Sequence, residues 1–386
     1  MLALIKAGAD PAILAREFFD GEKARFDLAG VVYGLLHGWD EDLSPARDAH
    51  GRFDPAECLI GRAGLLDLAV CDRIRQAAAV KIRDSHRSGE PVGNRWNGKA
   101  WAFSLSFDVD SAGVRHGLDR LRNLRRIALT GRARQLPKHL WQWSARLLGG
   151  PDPDLPFETI FEELARRGVR ATFLTQTRKL HKLDNYDLAR ATELSRFLRR
   201  AQRQGHEVGL HGSYATPDAP RSHLAHQRLA FERMLGPAPT AHRGHYLRVT
   251  SREHLEALAD QGFAVEGSLG FATREGFRRG TCQPIAVRGP ETGKVMVCLP
   301  LIAMDVTLRS HRGLSAEEAF DRLVALMGEV RRAGGVMSLL WHPHNFNGWF
   351  WPPEWRELPW RCLDHALESG AYAGTMGELA QAFRDS

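Results

Sequence analysis

The chain has 386 residues, and its 53 lysines and arginines against 46 aspartates and glutamates give a formal net charge of +7. Hydrophobic residues make up 43% of the sequence and charged residues 26%, which is ordinary for a soluble globular protein of one large or two unequal domains. No apolar run reaches the roughly 18 residues of a membrane span, and the start of the chain lacks the pattern of a secretion signal.

The five cysteines are scattered, and none of them forms a C-x-x-C pair. An odd number at wide spacing favours neither a disulfide framework nor a thiolate zinc site. We therefore expect reduced thiols and a cytoplasmic protein.

Residues 1–98 are predicted to form a small α+β N-terminal region. It contains a short apolar element at 31–36, a turn at 48–54 and a helical pattern at 65–82. The polar run at 84–91 has the composition of a linker.

A basic stretch from Arg115 to Arg146 is predicted to be a helical insertion at about 112–153. The simpler interpretation is a solvated helical face. The alternative is a surface that attracts an anionic glycan or a membrane surface. No nucleic-acid-binding motif accompanies the charge, so we expect no nucleic-acid partner.

Residues 99–386 alternate regularly between strand and helix patterns, beginning with a strand at 101–107. Such alternation predicts a parallel sheet, and this many units favour a closed or nearly closed barrel. The helices are expected at 157–167, 188–204, 223–235, 252–261, 316–332, 354–368 and from 377. The further strands are expected at 169–175, 207–211, 240–245, 263–266, 295–302, 335–341 and near 372.

Two carboxylates, Asp108 and Asp110, follow the first barrel strand. Side chains at positions i and i+2 of a strand share a face, so both carboxylates can point into one site. Neighbouring carboxylates repel, and such a pair usually has a metal, another cation or a shared proton between them.

Three later strand ends carry histidine, at His211, at His242 and His245, and at His342 and His344. Ligands bind at the carboxyl ends of the strands in parallel α/β folds. Carboxylate and imidazole donors suit Zn²⁺ or a similar divalent ion.

This ordered set of motifs resembles the polysaccharide deacetylases, the carbohydrate esterases built on the NodB homology domain. Phe107-Asp108-Val109-Asp110 resembles their D-x-D motif, and Gly205 to His211 resembles G-H-E-[IV]-[GA]-x-H. Ala171 to Leu174, Arg243 and Leu339 to His342 resemble three further motifs in the same order. Other segments are similar to a subgroup with an uncharacterised N-terminal region.

The resemblance implies a distorted (β/α) barrel of the NodB type and the metal-dependent removal of an acetyl group from a sugar. It further implies that Asp108 is the catalytic base, that Arg243 orients it and that His342 is the general acid. Asp110 and His211 are the implied metal ligands.

One position departs from the family pattern, because Ala215 stands where H-[ST]-x-x-H has its second ligand histidine. His245 is the expected replacement, since it leaves the adjacent strand on the same face as Arg243. His242, His206 and His344 are fallback candidates.

The candidate substrate-binding residues are Tyr214, Trp341, His344, Trp349 and Trp351. Trp349 and Trp351 belong to an aromatic cluster that follows His342, and flat rings of this kind stack on sugar C–H faces. The alternative is a hydrophobic lid or an interface. Arg278 and Arg309 could add contacts to an anionic sugar.

The sequence thus predicts a metal-dependent deacetylase, most simply with Zn²⁺, that acts on an N- or O-acetylated carbohydrate. Two alternatives remain open. The same barrel could hydrolyse a non-sugar amide, or the chain could be a non-catalytic relative that binds a glycan or a membrane surface.

Overall fold

The computed structural model describes residues 5, 11–20, 23–24, 27–85, 95–111, 137, 144, 155–249, 251–347 and 351–386. Apart from residues 137 and 144, the predicted basic insertion lies outside these ranges. Most of the predicted linker at 84–91 and Trp349 also lie outside them.

The main sheet has ten strands, which are β3 (Ala102–Val109), β4 (Thr172–Thr175), β5 (Glu207–Gly212), β6 (Ala241–Gly244), β7 (Val265–Glu266), β8 (Ile285–Arg288), β9 (Val295–Cys298), β10 (Ala303–Met304), β11 (Val336–Trp341) and β12 (Tyr372–Ala373). Their order across the sheet is β10-β11-β3-β4-β5-β6-β7-β9-β8, and β12 pairs with β3 off this path. The pairings are parallel except for the antiparallel β8–β9 hairpin. Strands β10 and β8 form the two edges, so the predicted (β/α) barrel is confirmed in its distorted, open form.

Helices lie between the parallel strands, as the alternating pattern predicts. They are α6 (Phe157–Arg166), α7 (Thr192–Arg203), α8 (Pro220–Leu235), α9 (Arg252–Asp260), α10 (Ala316–Ala333), α11 (Glu354–Glu368) and α12 (Met376–Arg384). In α6 the apolar residues at 3–4 spacing, Phe157, Ile160, Phe161 and Leu164, are all buried. This apolar stripe packs the helix against the sheet.

Strand β3 lies between β11 and β4 and also pairs with β12, and all eight of its residues are buried. Its register places Phe107 beside Trp341 of β11 and Val109 beside Thr175 of β4. Farther along the sheet, His211 of β5 lies beside Arg243 of β6. The carboxyl ends of these parallel strands therefore meet at one edge, where the predicted site residues are located.

The strand predicted at 295–302 is confirmed only over Val295–Cys298, because β9 ends there and a separate strand, β10, covers Ala303–Met304. Pro300 lies between them, and proline has no N–H to donate to a strand ladder. Strand β8 was not predicted, and its half-exposed and exposed residues are typical of an edge strand.

The described part of the N-terminal region contains helices and a two-stranded antiparallel pair. Its elements are α1 (Pro11–Phe18), β1 (Phe19–Asp20), β2 (Lys23–Ala24), α2 (Leu28–His37), α3 (Trp39–Leu43), α4 (Leu59–Arg62) and α5 (Val70–Ser85). The apolar element at 31–36 is part of α2, which Asp27 caps at its start and Gly38, with φ of 73°, ends. Apolar residues of the N-terminal region form one hydrophobic cluster, which also includes Phe271 of the barrel.

Buried ion pairs join this region to the barrel. Arg73 of α5 pairs with Glu329 of α10 at 2.6 Å, and Glu41 of α3 pairs with Arg278 at 2.7 Å. Arg278, considered above for contacts to an anionic sugar, is therefore engaged in anchoring the N-terminal region. A boundary at residue 98 stays a prediction.

All five cysteines are free and buried, as expected from their scattered positions in the sequence. None of the helices in the described ranges is long and apolar enough to cross a membrane.

Candidate active site

The two aspartates of the D-x-D motif face the same side of β3. The strand runs through Val109, one residue beyond Asp108, so Asp108 lies within it and Asp110 directly follows it. Oδ2 of Asp108 lies 3.8 Å and Oδ1 of Asp110 lies 3.4 Å from Nε2 of His211. The alternation of strand side chains predicts this arrangement.

Asp110, His211 and His245 offer ligand atoms that all lie within 4.8 Å of one another. Nε2 of His245 is 3.5 Å from the same Oδ1 of Asp110. That oxygen is buried and makes no hydrogen bond within the described part of the chain. A buried anionic oxygen that faces two imidazole nitrogens fits a divalent cation well.

The outer nitrogens of both histidines have acceptors. Nδ1 of His211 lies 3.0 Å from the backbone carbonyl of Arg243, and Nδ1 of His245 lies 3.4 Å from Oδ1 of Asp184. When Nδ1 donates to these oxygens, Nε2 is left with a free lone pair that points toward Asp110. This is the tautomer that a metal-binding histidine needs.

Asp110 and Asp184 are both held in the ionised form. Burial by itself would raise the pKa of Asp110, but the charged forms of the neighbouring imidazoles of His245, His211 and His342 outweigh it and hold that pKa well below its usual range. Burial also opposes ionisation of Asp184. Hydrogen bonds from His245, Ser213 and backbone amides nevertheless lower the pKa of Asp184 to about 2.

Arg243 holds Asp108 in a buried ion pair, with Nη1 donating to Oδ1 at 2.7 Å. Its Nη2 donates to Oγ of Ser106 at 2.9 Å, and its Nε donates to the carbonyl of Gly267 at 2.8 Å. A Cβ atom on Gly267 would come within 2.9 Å of the guanidinium, so glycine allows this close approach. The bonds orient Asp108 and leave its Oδ2 directed toward His211.

His342 completes the far side of the site. Its Nε2 lies 3.6 Å from Oδ2 of Asp110, and its Nδ1 lies 2.7 Å from Oδ1 of Asp305. Oδ2 of Asp305 accepts from the backbone N–H of His342 at 2.9 Å and from the side chain of Asn345 at 2.8 Å. Burial lowers the pKa of His342, but Asp305, Asp110 and Asp108 outweigh it and raise that pKa to about 10.

Asp184, Asp305 and Ser106 were not predicted from the sequence. Asp305 directly follows β10, so the rule that site residues follow strand ends would have found it if the strand at 295–302 had been divided correctly. Ser106 lies within β3 on the same face as Asp108. Asp184 lies in the loop between β4 and α7, where no local pattern indicates its role.

The fallback ligands lie elsewhere. His206 precedes β5, where its ring stacks on Phe161 and its Nδ1 accepts from the backbone of Ala171. His242 points to the opposite face of β6, toward Phe263. His344 is half-buried beside His342, at a ring distance of 5.5 Å, and is not part of the cluster around Asp110.

Ala215 is buried, and its carbonyl lies 2.8 Å from Nδ1 of His223. Its methyl group offers no ligand atom, and His245 from the neighbouring strand supplies the second imidazole instead. This is the replacement that the sequence predicts, and it stays a prediction until a metal is bound.

The candidate substrate-binding residues differ in exposure. Tyr214 is half-buried, between the stacked ring of His181 at 4.6 Å and the ring of Tyr246 at 5.4 Å. Trp341 is completely buried in the barrel core, so it has no free ring face and its prediction as a sugar platform is wrong. Trp351 is half-buried with Arg309 above its ring at 4.9 Å, and it remains a candidate.

No family model and no curated protein matches this sequence. The structure resembles that of a Mycobacterium smegmatis protein assigned as a polysaccharide deacetylase, at 19% identity and a TM-score of 0.51, over 77% of this chain and 93% of the other. A probable polysaccharide deacetylase from Pseudomonas aeruginosa PAO1 is similar at 14% identity and a TM-score of 0.51, over 77% and 96%. The allantoinase PuuE is similar at 13% identity and a TM-score of 0.50, over 77% and 95%.

These three structures are similar over 77% of this chain at low identity, so the likeness concerns the fold. It agrees with the motifs, which occur in the order and at the strand ends that the sequence resemblance implies. The chain has the fold of the polysaccharide deacetylases, a distorted NodB-type (β/α) barrel.

Proposed function

We propose that this protein is a metal-dependent hydrolase that removes an acetyl group from an N- or O-acetylated sugar or polysaccharide. The observation that supports this most strongly is the arrangement around Asp110. Two imidazoles face its buried oxygen, with the arginine-paired Asp108 on one side and the aspartate-paired His342 on the other.

Asp110, His211 and His245 would hold the metal, and Zn²⁺ is the best candidate. One carboxylate and two imidazoles, with a coordination position left for water, are typical of catalytic zinc sites. When bound, such an ion polarises the acetyl carbonyl and lowers the pKa of water.

Asp108 is proposed to act as the base. Its Oδ1 is occupied by Arg243, whereas its Oδ2 faces the site and can accept a proton from the attacking water. Arg243 pairs with Asp108 and fixes its orientation.

His342 is proposed to act as the general acid. Water adds to the acetyl carbonyl, the C–N or C–O bond of the acetyl group breaks, and His342 donates the Nε2 proton to the leaving nitrogen or oxygen. The products are acetate and the free amine or alcohol. Asp305 stabilises the protonated imidazole before this transfer and orients it by its bond to Nδ1.

The sugar is proposed to contact the half-buried rings of Tyr214, His344 and Trp351 at the mouth of this site. Half-buried aromatic rings can offer their exposed atoms to the C–H face of a sugar. Contact of the basic insertion with an anionic glycan or a membrane surface remains a prediction.

The likeness to the allantoinase PuuE favours a second candidate, the hydrolysis of a non-sugar amide. The proposed proton transfers would be the same, because both reactions break a bond to a carbonyl carbon. The difference would lie in the residues that line the cleft.

Protein purified without added metal should contain a divalent ion and release acetate from acetylated amino sugars or O-acetylated glycans. The matched control is the double variant Asp110→Asn/His211→Ala, which should lose both. Ammonia or amine release from non-sugar amides alone would support the second candidate. A metal-free protein that releases no product after Zn²⁺ addition would be a non-catalytic relative.

A further inference from the structure

The N-terminal region reaches the candidate active site through the loop between α3 and α4. In this loop Asp48 accepts from the backbone amides of His50 and Arg52 and pairs with the Arg52 side chain at 2.7 Å. The loop is thus a small, internally bonded unit. An isolated antiparallel bridge between Arg47 and Phe53 closes its base.

The segment of the barrel that the loop contacts begins directly after His245. Tyr246 and Leu247 have φ values of 61° and 56°, in the left-handed region that residues with side chains seldom adopt. Such a residue is strained and persists only where its surroundings hold it. His245 therefore reaches Asp110 and His211 from a strained turn.

The N-terminal loop supplies contacts that hold this turn. Nη1 of Arg52 donates to the carbonyl of Tyr246 at 3.1 Å, and the His50 ring packs against the Tyr246 ring at 4.6 Å. In the other direction, Nε of Arg248 donates to the carbonyl of His50 at 2.8 Å. The strained residues thus lie between bonds to two residues of the N-terminal loop.

The same loop also bonds to the segment that directly follows β5, the strand that carries His211. Nδ1 of His50 lies 3.2 Å from the hydroxyl of Tyr214, three residues after His211. Arg248 donates to the carbonyl of Tyr214 and stacks over its ring at 4.1 Å. The segments that follow β5 and β6 are therefore tied to each other and to the N-terminal loop.

We propose that the N-terminal region is a working part of the metal site, in which Arg52, supported by Asp48 and His50, positions His245 as the third ligand. This inference rests on the proposed metal site. Ala215 leaves the usual position for a ligand histidine vacant, and the replacement histidine sits beside a turn that the barrel does not hold alone. The N-terminal region thereby serves metal affinity as well as the stability of the fold.

The test is the affinity of the metal-free full-length protein for Zn²⁺ and Co²⁺, measured without substrate. Arg52→Gln should weaken binding by about 10-fold or more, the usual scale for partners that orient ligands. It should also change the visible absorption of bound Co²⁺, which depends on coordination geometry. Arg52→Lys keeps a donor and should restore part of the affinity.

The matched control is Arg62→Gln, which makes the same change in the N-terminal region at an exposed side chain with only a 4.0 Å contact to Glu57. It should bind metal as the wild type does. The metal-free thermal unfolding midpoints of both variants should be equal, which separates ligand positioning from general destabilisation.

If Arg52→Gln does not fold, Asp48→Asn serves as the second variant, because it weakens the support of Arg52 while Arg52 remains. An intermediate loss of affinity is then expected. Wild-type affinity and an unchanged Co²⁺ spectrum in the folded loop variants would overturn the inference. A wild-type protein that binds no metal would instead reject the proposed function.

Discussion

Oδ1 of Asp184 lies 3.4 Å from Nδ1 of His245, on the side of the ring opposite Asp110. Oδ2 of the same carboxylate accepts from Oγ of Ser213 at 2.6 Å, and its Oδ1 accepts from the backbone amide of Tyr214 at 2.8 Å. One buried side chain therefore links the loop after β4, the exit of β5 and His245, which follows β6.

Asp184→Asn should weaken metal affinity by about 10–100-fold, because the amide lacks the negative charge that strengthens Nε2 of His245 as a metal ligand. The measurement is Zn²⁺ affinity by competition with a chelator. Asp187→Asn is the control, since Asp187 lies in the same loop and only caps the turn at Ala189. Equal affinities of the two variants would rule out this role for Asp184.

His245→Ala should lower the metal content of the purified protein strongly, because two protein ligands rarely hold zinc. His242→Ala is the matched control, since it makes the same change within β6, which His245 directly follows, but on the opposite face. A role of His245 in substrate binding alone predicts unchanged metal content with a raised KM. Full metal content in His245→Ala would therefore remove it from the metal site.

Asp108→Asn should keep the metal and reduce kcat by about 10²-fold or more, the usual scale for loss of a general base. The asparagine preserves the shape of the side chain and its oxygen can still accept from Arg243. Turnover and metal content of the variant are measured together. Turnover near that of the wild type would show that another group takes the proton.

Asp305→Asn should reduce kcat with little change in metal content, because Asp305 bonds to His342 and is not one of the three proposed metal ligands. Loss of the negative charge removes the main stabilisation of the protonated imidazole. The variant should resemble His342→Gln in kcat, and the double variant should lose little more. Additive losses would indicate that the two side chains act independently.

His254 predicts a specific pH dependence of stability. Its ring is completely buried in α9, and burial lowers its pKa to about 3, with smaller contributions from His242 and Arg248. Between the ordinary histidine pKa of about 6.5 and this value, the unfolded chain binds a proton that the folded protein does not. The free energy of unfolding should therefore fall as pH decreases through this window.

The measurement is urea unfolding at several pH values for the wild type and His254→Leu. Between pH 6 and 4 the wild type should lose about 1.4 kcal/mol per pH unit more than the variant. His226→Leu, at an exposed position of α8, is the control and should keep the wild-type slope. Parallel curves for the wild type and His254→Leu would contradict the prediction.

The sequence by itself determined the barrel and the strand ends that carry the site. Alternating strand and helix periods predict a parallel sheet, and parallel strands bring their carboxyl ends to one edge. The side-chain period of two placed Asp108 with Asp110, and Arg243 with His245, on common faces. These are local properties of the chain, so they are readable without its tertiary structure.

Only the tertiary structure decided which groups complete the site. Asp184, Asp305 and the loop around Arg52 lie far along the chain from the side chains that they contact, and no local period relates such positions. Trp341 and Arg278 show the converse. Their residue types suit a sugar site, but the fold buries one in the core and pairs the other with Glu41, because burial and ion pairing depend on neighbours distant in sequence.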